Sequence, residues 1–416
     1  MRPREARRRP VILGKVQRRR HRPDYWLLLL SIILLVFGLI VVYAISPGLS
    51  VQKHVGENYF VGKQLLAIGL GVIVFMLASR IPVQWWRRLE IPLLVIAGIA
   101  AFAVRFFGER VNGAYRWIQV GGLSFQAAEL IKFALLIWLA GFLTDRMRNG
   151  EITNTQKTLK PILIALGIIA LVVGKIQSDL GSTAVIVAIM GSMFYIAGFP
   201  MKRIMSIGAV ILVAATILVL GSSYRRQRLD TFLNPGKDCL GSGYQACEAL
   251  ITVGSGGMFG LGLGRSVQAY GYLPEAANDS IFAIFAEKFG FVGCVLLLGL
   301  FAGFFSRLKR ILERAPDTYS QLLVAGILAW LSTQALINIG AMVGLLPLKG
   351  ITLPFISYGG TSIVFVMAAI GIVFQVSRYT AYSVSSTNQQ AGETYENNPY
   401  RRGIRGAYHP NPSGRG

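Results

Sequence analysis

Histidine, cysteine and charge are all scarce, and each shortage removes a class of function. Only three histidines occur, His21, His54 and His409, in the two tails and one short connection. Neither a histidine-centred triad nor an imidazole metal site can be built from them. Three cysteines, Cys239, Cys247 and Cys294, are too few for a disulfide framework or a cysteine zinc site. Cys239 and Cys247 fall in one expected external connection, either bridged or as two free thiols, whereas Cys294 reads as a small apolar helix residue. There is no G-x-x-x-x-G-K-[ST] loop and no G-x-G-x-x-G opening a soluble helix, which excludes a nucleotide-driven motor. Charged residues make up 15% of the 416 and hydrophobic ones 53%, a balance that one ordinary soluble core cannot hide.

What fills the chain is long apolar runs, and these read as an all-α polytopic membrane protein. Runs of about 17 to 25 residues, long enough to span, lie near 26–46, 64–79, 91–107, 127–144, 160–177, 182–199, 204–222, 279–305, 320–345 and 355–377. They predict about ten transmembrane helices, with 26–380 as the membrane domain. The first run follows a basic tail, 1–25, lacks a small-residue cleavage site and exceeds a signal-peptide core, so it reads as an uncleaved helix. The formal charge of +23 is written in short clusters between the runs, the pattern of membrane topology rather than of nucleic-acid binding. Arg87 and Arg88, Arg146 and Arg148, Lys202 and Arg203, then Arg307, Lys309 and Arg310 mark alternate connections as cytoplasmic. Both termini are then cytoplasmic, and the large connection 223–278, between helices 7 and 8, faces outward. The tail 381–416, rich in Asn, Ser, Gly, Arg and Pro, reads as disordered.

Ionisable groups inside apolar segments cost about 2.5 to 3.5 kcal/mol each at a helix centre, so they mark sites by default. Glu129 and Lys132 stand three apart in AAELIKFALL, on one helix face, as a functional ion pair or a lock on helix packing. Asp179 in QSDLGS and Asp279 in LPEAANDSIF sit at outer helix ends, with Glu287 two turns further along and Lys175 nearby as a snorkelling or paired cation. The largest connection adds Tyr224, Arg225, Arg226 and Arg228. Arginine clusters bind phosphate oxygens through several donors, although YRRQR also suits interfacial anchoring. The glycine-rich GSGGMFGLGLG and LPLKGITLPFISYGGTS read as tight turns or re-entrant backbone.

These same segments carry a resemblance to a known family. GAYRWIQVGGLSFQAAELIK, QSDLGSTA, YRRQRLDTFLNP, GYQACEALITVGSGGMFGLGLG, YLPEAANDSIFAIFAEKFGFVG and INIGAMVGLLPLKGITLPFISYGGTS follow in order over roughly residues 26–380. The chain resembles the SEDS (shape, elongation, division and sporulation) family, whose best-known members are RodA and FtsW. Lys349 before Gly350-Ile-Thr-Leu-Pro-Phe is more similar to the FtsW branch.

The resemblance implies a GT-C-like fold and a peptidoglycan glycosyltransferase that polymerises lipid II on the outer face of the cytoplasmic membrane. It implies a septal setting with a class B penicillin-binding transpeptidase and other divisome proteins as partners, and membrane lipid as surroundings. The family's essential aspartate falls on Asp279, the expected base. Pyrophosphate is already a good leaving group, so the remaining need is charge neutralisation. Arg116, Lys132, Arg225, Arg228 and Lys349 are the candidates, Glu129 positions Lys132, and Asp179 and Ser357 complete the expected substrate-binding set. No cofactor is required, although a divalent cation such as Mg2+ on the pyrophosphate is compatible. Three motifs depart from the family's usual form, at Gln126-Ala-Ala-Glu129, Gln177-Ser-Asp-Leu-Gly-Ser182 and Pro274-Glu-Ala-Ala-Asn-Asp279. Their carboxylates survive, which leaves local backbone shape as the open point. A lipid II flippase and a non-catalytic divisome scaffold are the rival readings.

Overall fold

A computed structural model describes residues 17–111, 114–120, 123–176, 179–221, 223–241, 243–266, 268 and 271–382. In chain order these form β1 (Gln17–Arg20), α1 (Tyr25–Lys53), α2 (Tyr59–Arg80), α3 (Val83–Arg88), α4 (Glu90–Phe107), β2 (Glu109–Val111), β3 (Ala114–Val120), β4 (Leu123–Gln126), α5 (Ala127–Arg148) and α6 (Lys160–Ile169). There follow α7 (Leu180–Ile196), α8 (Met201–Leu220), α9 (Ser223–Leu233), α10 (Tyr244–Ser255), α11 (Ile281–Glu313), α12 (Thr318–Met342), α13 (Gly360–Val376) and β5 (Tyr379–Tyr382). π-helical segments, Thr155–Leu159 and Ala170–Ile176, flank α6. Residues 20–380 form the helical body. The tails 1–16 and 383–416 lie outside the described residues.

Each of the ten apolar runs falls on a helix. Among the described residues seven helical segments, α1, α5, α11 and α12 among them, are long and apolar enough to cross a membrane, while α7 and α13 are shorter apolar helices. Apolar side chains such as Ile99, Phe102, Val210 and Leu296 stay exposed on the outside of the body, as a lipid solvent permits. α5 and α12 are instead largely enclosed, α12 packing against α5, α7 and α11, and α2 lies along α13. Glycine allows the close approaches: a Cβ on Gly371 of α13 would stand 2.7 Å from Ala78 Cβ of α2. Without a hydrophobic drive between helices in lipid, such contacts carry the packing.

One end of the body is basic. Arg307 at the far end of α11 binds Asp24 at the start of α1 (2.6 Å), and the Asp24 N–H donates to Ser377 Oγ just past α13 (3.1 Å). Arg87 pairs with Asp145 and lies over the Tyr319 ring, Arg146 binds Glu151, and Arg203 donates to the Thr153 carbonyl. Both ends of the body therefore meet at the basic end, which the positive-inside rule assigns to the cytoplasm. The starts of α5, α7, α11 and α13 lie at the opposite end.

Two features depart from the apolar pattern. Strands β2, β3 and β4 form a three-stranded antiparallel sheet, in that order, with Trp117 opposite Gln126. Helix α11 is broken at Gly290 (φ 64°, ψ −166°). At the break the Phe291 and Val292 N–H groups donate to the Gly257 and Met258 carbonyls. The Glu287 and Lys288 carbonyls accept in exchange from Leu261 and Gly262 N–H. Four groups that would have closed two helical bonds are satisfied by the glycine-rich segment, as buried backbone requires. Gly260 (φ 82°) sits in this contact, where an added Cβ would lie 2.1 Å from the Lys288 carbonyl oxygen. GSGGMFGLGLG thus serves a backbone-to-backbone approach.

Candidate active site

Asp279 stands at the end of a tight segment, Pro274–Ser280, that leads into α11. Ser280 Oγ donates back to the Pro274 carbonyl (2.9 Å), its N–H donates to the Glu275 carbonyl (3.2 Å), and the Asn278 amide binds the Glu275 carboxylate. Glu275 takes a left-handed conformation (φ 52°). Two distant motifs hold this segment through its carbonyls. Tyr358 N–H donates to Ala277 O (2.8 Å), Ser357 Oγ to Asn278 O (2.6 Å), and Asn338 Nδ2 to Asp279 O (2.7 Å).

Asp279 is half-exposed, and it lines a small cavity with Lys349, Asn338, Ala341, Met342 and Ile351. At about 10 Å³ the cavity has room for one hydroxyl or water. Ala341 also lines a second cavity of about 250 Å³, bounded by Thr231, Phe232, Pro235, Gln245 and Leu346, large enough for a sugar ring. Gln245 of this second cavity donates to Ser280 Oγ (3.3 Å), the residue after Asp279. The connection over this second cavity is closed by a Cys239–Cys247 disulfide (Cα–Cα 5.6 Å), which resolves the two alternatives for these thiols.

The other expected residues divide into three groups. Asp179 is buried at the N-terminus of α7, where Oδ1 accepts from Ser182 N–H (2.9 Å) and Oδ2 from Ser182 Oγ (2.7 Å), an N-cap. That helix start packs beneath the site, since a Cβ on Gly181 would meet Ile351 Cγ1 at 2.7 Å and Lys349 O at 3.0 Å. Glu129 and Lys132 form the expected pair at 2.7 Å, with Lys132 1% exposed. Lys132 also donates to Gln334 Oε1 (3.0 Å) and lies 5.3 Å from the Trp330 ring centroid. The side chains of Arg116, Arg225, Arg228, Tyr224 and Lys175 lie outside the described residues; the backbone of Arg116 is on β3 and that of Arg225 and Arg228 on α9. Glu287 is buried, binds Ser266 Oγ and accepts from Gln268 N–H (3.2 Å), so it ties the glycine-rich connection to α11.

One stripe of α12 carries no charge and stands outside the ionisable set. Trp330, Gln334 and Asn338 recur every four residues and so share a helix face. Trp330 Nε1 donates to Gln334 Oε1 (2.7 Å), Gln334 Nε2 to Thr352 O (3.0 Å), and Asn338 Nδ2 to Ile351 O (2.6 Å). The signal was available: amides at a four-residue spacing in an otherwise apolar helix must find partners.

Fold and site together define a polytopic membrane protein with a carboxylate-and-lysine site at the end of the bundle opposite the basic face. The chain belongs to the cell cycle protein family of FtsW, RodA and SpoVE, the SEDS family, whose sequence model matches residues 25–382. It is 39% identical over 364 residues to stage V sporulation protein E of Bacillus subtilis (86% of this chain, 98% of the relative). It is 37% identical over 364 residues to a probable peptidoglycan glycosyltransferase FtsW of Coxiella burnetii (86% and 96%). A solved chain from a peptidoglycan synthase complex that coordinates polymerization and crosslinking superposes with a TM-score of 0.71 at 27% identity, covering 86% of this chain and 98% of that one.

Proposed function

We propose that this protein is a peptidoglycan glycosyltransferase that polymerises lipid II on the outer face of the cytoplasmic membrane. The observation that carries the reading is Asp279 at a cavity shared with Lys349, clamped by Asn338 and Ser357 at the end of the bundle away from the basic face. In the proposed step Asp279 accepts the proton of the acceptor GlcNAc 4-hydroxyl as its oxygen attacks the anomeric carbon of the donor strand. The new C–O bond forms with inversion, the bond to the pyrophosphate oxygen breaks, and the lipid pyrophosphate leaves with its electron pair.

Charge on the leaving group is the remaining demand. Lys349 lines the Asp279 cavity and is proposed to meet it, with Arg116, Arg225 and Arg228 as further donors. Lys132, committed to Glu129 and Gln334, is proposed to act at one remove by holding α12 beneath the site. No cofactor is required for this, although a divalent ion such as Mg2+ on the pyrophosphate would add to the neutralisation. The chain is further proposed to work at the septum beside a class B penicillin-binding transpeptidase, a reading supported by its likeness to a synthase-complex chain.

The test is lipid II polymerisation by the purified protein, alone and with its cognate transpeptidase. Glycan strands from wild type and none from Asp279→Asn support the reading. Transbilayer movement of lipid II in liposomes without any glycan from wild type would replace it with a flippase. Septal placement is checked by imaging a functional fluorescent fusion, and even labelling of the cell periphery would contradict it.

A further inference from the structure

Asn338 presents a polar atom that no described residue uses. Its flip state is set by its partners: the same nitrogen reaches two carbonyl oxygens, Asp279 O at 2.7 Å and Ile351 O at 2.6 Å, and carbonyls can only accept. Both amide hydrogens are thereby spent. Oδ1 is left over, and no donor among the described residues reaches it, although Asn338 is only 2% exposed. A buried amide oxygen without a donor is costly, and this one stands at the site. Asn338 also lines the small Asp279–Lys349 cavity, whose volume fits one hydroxyl.

Asp279 is half-exposed while its Oδ1 is buried, so a sugar hydroxyl can reach the carboxylate from the open side. A neighbouring hydroxyl on the same ring can then enter the cavity behind. We infer that Asn338 is a second substrate-contacting residue, whose Oδ1 accepts a hydrogen bond from the sugar hydroxyl adjacent to the one Asp279 deprotonates. For a GlcNAc acceptor this is the 3-hydroxyl. The inference rests on the polymerase reading, and it adds a specificity element: the site measures a vicinal pair of hydroxyls.

The test is extension by purified protein and partner transpeptidase with lipid II analogues as acceptors, 3-deoxy or 6-deoxy on the GlcNAc. In wild type the 3-deoxy analogue loses about 10- to 100-fold in kcat/KM, and the 6-deoxy analogue less than threefold. Asn338→Ala extends natural lipid II slowly and no longer distinguishes the 3-deoxy analogue. Ser357→Ala removes a clamp on the neighbouring carbonyl and keeps the discrimination, so a residue that only clamps the segment behaves differently. Full use of the 3-deoxy analogue by wild type, which needs no variant to fold, overturns the inference. So does equal discrimination by wild type and Asn338→Ala. Failure of wild type to extend natural lipid II would instead remove the polymerase reading itself.

Discussion

The buried Glu129–Lys132 pair makes a quantitative prediction. Both residues are almost fully enclosed, their charges meet at 2.7 Å, and Lys132 has one further hydrogen-bond partner, Gln334. Removing one partner of such a pair strands the other charge, at a cost of about 3–5 kcal/mol. The cost is capped by neutralising the orphan. At pH 7 that is about 3.7 kcal/mol for an ordinary glutamic acid and about 4.6 kcal/mol for an ordinary lysine. Lys132→Met is therefore expected to lose close to 3.7 kcal/mol and Glu129→Gln up to about 4.6 kcal/mol, less what Gln334 and the Trp330 face return. The double variant Glu129→Gln/Lys132→Met buries no charge and is expected within about 1 kcal/mol of wild type. Unfolding free energies from SDS titration in mixed micelles give all four values, and a double-mutant cycle gives the coupling. Single variants that each lose under 1 kcal/mol, or a double that loses the sum of the two, would refute the buried-pair account. The same double variant separates two roles for Lys132: polymerisation within about tenfold of wild type fits a positioning residue. A thousandfold loss in a folded double variant would return Lys132 to direct charge neutralisation.

The remaining predictions concern three other parts of the protein. Asp179→Asn keeps a good N-cap and is expected to hold both stability and polymerisation, whereas Asp179→Ala loses about 1 kcal/mol; an inactive but stable Asp179→Asn in the polymerisation assay would mean that its charge serves the substrate. Gly260→Ala drives a Cβ into the Lys288 carbonyl at a positive φ and is expected to abolish folded protein, while Gly264→Ala, with nothing within 4 Å, leaves the yield from detergent extracts unchanged. A divalent ion carried by the pyrophosphate should be removable, so excess EDTA is expected to slow polymerisation and added Mg2+ to restore it, with no change in the protein's thermal unfolding; unaltered rates in EDTA would remove the ion from the scheme.

How much of this was legible in the sequence depended on the physics behind each feature. Spanning length and apolarity act locally, so the runs from 26–46 to 355–377 each mark a helix. The connection 109–126 was harder: AYRWIQV lies beside the glycines and polar residues of a surface connection, and its strands are defined only by pairing with one another. The break in α11 at Gly290 depends on a partner some 30 residues earlier, the Gly257–Gly262 backbone, as flagged only by a glycine excess. At the site, Asp279 could be picked out because charge is costly in lipid, and family resemblance gave Asp279 its role and brought in Lys349. Asn338 and Gln334 carry no charge, so their part emerges only when α12 is laid against the Ile351–Thr352 segment.

The central claim is that Asp279 is the base of a polymerisation reaction. Lipid II incorporation by purified wild type and by Asp279→Asn, Asp279→Glu and Asp279→Ala, with matched thermal unfolding of each, tests it most directly. The account predicts folded proteins in every case, glycan strands from wild type, and a loss of at least about a thousandfold in Asp279→Asn, in line with removal of a catalytic base. Glycan formation by a folded Asp279→Asn at a rate near wild type would contradict it.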